Sequence, residues 1–202
     1  WKACMNRTDR IALNQLSELT PGMASVFAGS AAQVFLGVDS LDGEAARALS
    51  HVALLRLTVR GPIDADTAAG IAAIQGSLQL RLEAPLEPQA AKELGGLTAE
   101  EATISYGPDM VAEVMAALSE GGGRFRLDFS APDLTPELAT AMVRRAGAGT
   151  TQASVPGLSL AAAEAMIRAC SVQKGCGSLD LSAAEKATGP ALQHLVETWP
   201  GS

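Results

Sequence analysis

The 202-residue chain is 48% apolar but only 3% aromatic, so its core has to be built from Leu, Val, Ile and Ala. A net charge of −7 argues against a nucleic-acid backbone as the main ligand, because that partner calls for a basic face. No apolar run reaches the roughly 18 residues of a membrane-spanning helix.

Residues 8–19 put Ile11, Leu13, Leu16 and Leu19 on one side of a helix. Thr20-Pro21 reads as N-cap and first residue of a second short helix ending at Gly29. No repeat strand precedes either helix, so residues 1–29 are expected to form a helical N-terminal cap. Trp1 in first position implies a chain processed or cut from a longer product, with any signal peptide upstream.

A periodic array follows. Pro62, Pro85, Pro108, Pro132 and Pro156 recur every 23 or 24 residues, each trailed closely by an apolar residue such as Ile63, Leu86 or Leu134. A fixed period of this length marks a stacked repeat protein. Strands are expected at 33–38, 54–60, 78–83, 102–106, 124–130, 151–155 and 178–182. Helices are expected at 43–51, 65–75, 88–95, 109–119, 136–147 and 160–171. Strand 102–106 reads as slipped by one residue, with Ile104 and Tyr106 as its apolar pair. Pro88 and Pro136 suit first-turn positions, and Gly76, Gly95-Gly96, Gly121 to Gly123 and Gly147 are expected to close helices as residues tolerant of positive φ. Thus 30–186 reads as strand–helix repeats of about 22–26 residues, and 187–202 as a C-terminal capping helix, in one continuous domain.

Regular strand–helix alternation implies parallel strands. Parallel strands buried on both faces read as unbroken apolar runs. Here they alternate instead, as in Leu55-Arg56-Leu57-Thr58-Val59-Arg60 and Leu78-Gln79-Leu80-Arg81-Leu82-Glu83. Period two means one packed face and one wet face. The expected fold is therefore α/β: an open, right-handed solenoid with one curved parallel sheet and helices on its outer side.

The period and the Leu-x-Leu strand cores over residues 33–182 resemble the leucine-rich-repeat family, in an irregular, bacterial-looking form. The chain departs from that family at the asparagine position, where Pro62, Pro85 and Pro132 stand instead. The resemblance implies a non-enzymatic module that binds a protein partner through its concave sheet face. The residues on that face are Arg56, Thr58, Arg60, Gln79, Arg81, Glu83, Ser105, Arg126 and Asp128. The alternatives are a structural or spacer array within a longer surface protein, and an enzyme with a site on the loops.

No nucleophile phrase, phosphate loop or close set of four metal ligands is present, so neither cofactor nor metal is expected. His51 and His194 read as surface residues. Cys170 continues an apolar stripe with Ala163, Met166 and Ile167, which fits a buried thiol, yet Cys176 lies only six residues on. A Cys170–Cys176 disulfide would stabilise by roughly 2 kcal/mol. Such bonds persist outside the cytosol, so the lean is to an extracytoplasmic or secreted protein, with a cytoplasmic one still open.

Overall fold

A computed structural model describes residues 10–172 except 31, 148 and 156, the backbone of 179–180, and residues 191, 193, 197 and 198. Eight strands alternate with seven helices among these residues. In chain order they are β1 (Arg10–Leu19), α1 (Pro21–Phe27), β2 (Gln33–Leu41), α2 (Gly43–Ala48), β3 (Leu54–Val59), α3 (Ala65–Ala72), β4 (Ser77–Leu82) and α4 (Pro88–Leu94). Then come β5 (Ala102–Asp109), α5 (Ala112–Glu120), β6 (Arg126–Ser130), α6 (Pro136–Ala146), β7 (Thr151–Ser154), α7 (Leu160–Val172) and β8 (Leu179–Asp180). Every strand pairs in parallel with the next, giving one sheet in sequence order.

The repeat is visible as rows of side chains. Leu36, Leu57, Leu80, Ile104 and Leu127 lie side by side across five strands, none more than 2% exposed. Val38, Val59, Leu82, Tyr106 and Phe129 form a second buried row. The residues at or beyond the strand ends, Leu41, Ile63, Leu86, Met110, Leu134 and Leu158, form a third at the corner into each helix. These rows and the buried helix residues belong to one apolar cluster. The alternate strand residues remain wet, so the helices cover a single face.

Each corner residue is followed directly by a helix N-cap. Asp42, Asp64, Thr135 and Ser159 accept from the backbone N–H three residues on, satisfying a donor that the helix itself cannot. The Asp64 carboxyl is held below the usual carboxylate range, chiefly by the Thr67 backbone N–H. No single residue type replaces the repeat asparagine. The Thr67 hydroxyl donates to the Leu41 carbonyl at 3.2 Å, and the Leu86 N–H donates to the Tyr106 hydroxyl at 3.1 Å, each reaching across to a neighbouring repeat.

Four expectations need correction. Residues 10–19 are a strand, not a helix, so the array has one more strand than the alternation alone showed. The register shift between Leu13 and Leu16 marks a β-bulge, and Ile11, Leu13 and Leu16 still face the sheet positions Val34, Leu36 and Val38. An inserted residue converts a spacing of two into three, which imitates a helix. Strand 102–106 does not slip: Ile104 aligns with Leu80 and Leu127, and Tyr106 with Leu82 and Phe129. The fifth helix begins at Ala112 rather than at 109, because β5 runs on through Pro108 to Asp109.

Finally, only some of the helix-closing glycines use positive φ: Gly122, just past α5, has φ of 74°, and Gly29, past α1, has 71°, but the glycines directly at the ends of α4, α5 and α6 do not. Gly95, Gly121 and Gly147 have φ of −58°, −69° and −65°. Close stacking is the reason at Gly121, where a Cβ would sit 2.1 Å from the Gly95 carbonyl carbon. Two backbones touch there, and any side chain would force the repeats apart.

Of the expected C-terminal capping helix, Ala191, Gln193, Glu197 and Thr198 are described, all helical. Its remainder, His194 and Cys176 lie outside the described residues.

Candidate functional site

The wet face of the sheet collects all nine strand-face residues that the sequence singles out. The pairing register sets Arg56, Gln79, Thr103 and Arg126 in one row and Thr58, Arg81, Ser105 and Asp128 in the next. Arg60 and Glu83 extend the ladder one residue past β3 and β4, donating through their backbone N–H groups to Val38 and Val59.

Most of the charge on this face is internally compensated. Arg81 pairs with Glu83 at 3.1 Å and Arg126 with Asp128 at 2.8 Å, each along its own strand. Arg126 also meets the Gln152 side chain on β7. Arg60 pairs with Asp39 at 2.5 Å and turns its other nitrogens to backbone carbonyls, which makes it more a clamp than a free cation. Exposed pairs of this kind hold side chains in place but contribute little to stability.

One region differs. Phe35 projects from β2 onto the wet face, with the Arg10 guanidinium 3.9 Å and that of Arg56 4.8 Å from its ring centroid. Arg56 also donates through Nε to the Gln79 side-chain oxygen Oε1 at 2.7 Å. Among the described residues neither Arg10 nor Arg56 has a carboxylate at ion-pair distance. A recess of about 130 Å³ opens beside the ring, lined by Leu54, Leu55, Arg56 and Gln79 among others. A half-buried aromatic flanked by two cations can take an apolar group on the ring edge and a carboxylate on the guanidinium groups. Sequence reasoning missed Phe35 and Arg10. The signal for Phe35 was the alternation itself, because inward Val34, Leu36 and Val38 leave residue 35 pointing to water.

A larger concavity, about 780 Å³, lies on the helical side between α5, α6 and α7. Alanines form much of its lining, with Glu113, Glu137, Arg144 and Arg168 around it. The Thr140 hydroxyl there is engaged with the Pro136 carbonyl at 2.8 Å.

His51 is exposed. Cys170 is buried at the end of α7 and disulfide-bonded, to a partner outside the described residues. Among the described residues no group of three or more His, Cys, Asp or Glu could hold a metal ion, and no helix is long and apolar enough to cross a membrane.

No known protein family, curated protein or solved structure matches the chain significantly. The class rests on the molecule itself: an α/β fold with a single all-parallel sheet and helices alternating with its strands, compatible with a repeat solenoid.

Proposed function

We propose that the chain is a non-enzymatic binding module, a curved, right-handed solenoid of leucine-rich-repeat type, exported from the cytosol, that offers its wet sheet face to a protein partner. The observation that carries this reading is the Arg10–Phe35–Arg56 stack, the aromatic and uncompensated cationic spot on a face whose other arginines are paired. Aromatic and arginine side chains dominate binding energy at protein interfaces. The partner accordingly carries a carboxylate and an apolar side chain that meet this spot, while the paired residues on β4 and β6 set orientation.

The test is capture from extracts of the source cell on immobilised chain. Phe35→Ala with Arg56→Glu should reduce retention of a specific protein about tenfold or more, as loss of a hot spot does. Glu137→Lys with Arg168→Glu, on the helical side, should leave retention unchanged. Equal retention by all three, or loss only with the helical-side pair, would move the binding surface off the sheet.

A further inference from the structure

At the start of β2, β3 and β4 the pairing register sets two short rows side by side on the wet face. Gln33, Leu54 and Ser77 form one, and Phe35, Arg56 and Gln79 the other. The recess of about 130 Å³ is lined by both. Leu54 is 39% exposed there, an apolar side chain in a row whose other members are polar. An apolar cavity of about 150 Å³ holds one benzene molecule, so this recess has room for a single aliphatic side chain and not for a helix or a strand. The cations beside it have bonding capacity to spare. Arg56 uses its Nε on Gln79, and its two terminal nitrogens have no hydrogen-bond partner among the described residues. The Arg10 guanidinium meets the Phe35 ring and likewise has no hydrogen bond among them.

We infer that this spot takes the free carboxyl terminus of a peptide or protein whose last residue is aliphatic. The side chain enters the recess, and the carboxylate accepts from the guanidinium groups of Arg56 and Arg10. The inference rests on the proposed role of this face in binding and names the part of the partner that is bound. Arg56 both lines the recess and carries one of the cations, so the ligand's apolar group and its carboxylate have to lie close together. In an extended segment successive side chains point to opposite sides, so an internal Asp or Glu facing the spot turns both of its neighbours away. A last residue carries a side chain and a carboxylate on one Cα, and satisfies both halves of the site alone. Hydrogen bonds from guanidinium to carboxylate are charge-assisted and among the stronger ones. The Gln79 amide nitrogen, left over when its oxygen accepts from Arg56, is a further donor at the rim.

Heteronuclear NMR of the intact chain, titrated with acetylated hexapeptides of glycine and serine ending in leucine, reads binding and its location together. The free acid should bind with a Kd below ~1 mM and shift the signals of Leu54, Arg56 and Gln79. The C-terminal amide should bind about tenfold or more weakly, as should an amide carrying leucine and an internal glutamate, and a free acid ending in glycine. Arg56→Gln alters an exposed side chain, so the fold survives, which circular dichroism checks, and should weaken the free acid about tenfold. Arg168→Gln, which removes one charge from exposed α7, should leave binding unchanged. No shifts at ~1 mM, equal binding by acid and amide or by leucine and glycine ends, or indifference to Arg56→Gln overturns the inference. In that event, capture that is still lost with Phe35→Ala and Arg56→Glu keeps the sheet face as the binding surface and assigns its contact to a side-chain carboxylate. Capture indifferent to that pair removes the face as well.

Discussion

The Arg60 guanidinium passes over Gly37 and donates to the Asn14 carbonyl at 3.1 Å, tying β3 to β1 across the strand between them. It also reaches the carbonyls of Leu16 and Gly37, each at 3.4 Å. Asn14 lies within the β1 bulge, between the paired residues Leu13 and Leu16, where the ladder is broken. A residue at the end of one repeat thus engages backbone carbonyls at a bulge two strands away. Only glycine fits beneath it, because a Cβ at Gly37 would stand 2.5 Å from the Asn14 oxygen and 3.1 Å from the guanidinium.

Arg60→Ala should therefore cost about 0.5–1.5 kcal/mol, the net range for hydrogen bonds whose acceptors water can still reach. Gly37→Val should be at least as damaging, through collision rather than lost bonding. Urea unfolding gives both values, and hydrogen exchange should show β1 opening first in each variant. An Arg60→Ala protein as stable as wild type would reduce Arg60 to another solvated surface charge.

Arg145 poses the opposite problem. It is fully buried against the Phe125 ring, 3.8 Å from ring centroid to guanidinium carbon, and donates to the Phe125 carbonyl at 2.9 Å. Its Nε and one terminal nitrogen have no partner. Desolvation pushes its pKa down to about 10. A base with a depressed folded pKa penalises the folded state wherever it is charged, so the cost is present below about pH 10 and is relieved only above it. Arg145→Met should leave stability unchanged or raise it by about 1–3 kcal/mol at neutral pH, since it replaces an uncompensated buried charge with a shape of similar volume. A thermal-denaturation loss of the same size would contradict this.

Asp64 gives the chain an acid-sensitive cap. Its carboxyl accepts from Thr67 N–H at 2.8 Å and is held below its ordinary pKa. A lowered acid pKa contributes stability that is present above the unfolded value, about 3.9, and is lost as pH falls through the folded one. Asp64→Asn keeps a capping oxygen without the titration, so its stability should fall less than that of wild type between about pH 5 and pH 2. Parallel acid-unfolding curves for the two proteins would remove Asp64 from the acid response.

Cys170, buried and disulfide-bonded, should resist labelling. Denaturing the protein with an alkylating agent, without reductant, should add one label among its three cysteines, and mass spectrometry reads the count. Three labels would show every thiol free and remove the argument for an oxidising compartment.

Much of the architecture was legible because hydrophobic period and repeat length survive in the linear chain. The alternation around Leu57, Leu80 and Leu127 states which face is wet, and Thr20-Pro21 and Thr135-Pro136 state where helices begin. The rest required coordinates. The β1 bulge disguised strand spacing as helix spacing at Leu13 and Leu16. The glycines at 95 and 121 are needed for contact between repeats, which no local rule for helix ends contains. Phe35 became notable only once Arg10 and Arg56 lay over it, because residues 25 and 21 positions away are brought together by strand pairing. Arg60 is likewise indistinguishable in sequence from Arg56 or Arg81, and only the path over Gly37 separates a clamp from a surface charge.

Arg81 and Leu82 test the one-sided sheet most directly, since they are neighbours in β4 and face opposite ways. Arg81 is exposed on the wet face and Leu82 is 1% exposed in the core. Urea unfolding of Arg81→Glu should change stability by no more than about 0.5 kcal/mol, as for an ordinary surface site. Leu82→Ala should cost about 2–5 kcal/mol through lost burial and the cavity left behind. Comparable losses from the two substitutions would mean that both faces of β4 are buried, and that the sheet has no open face to offer a partner.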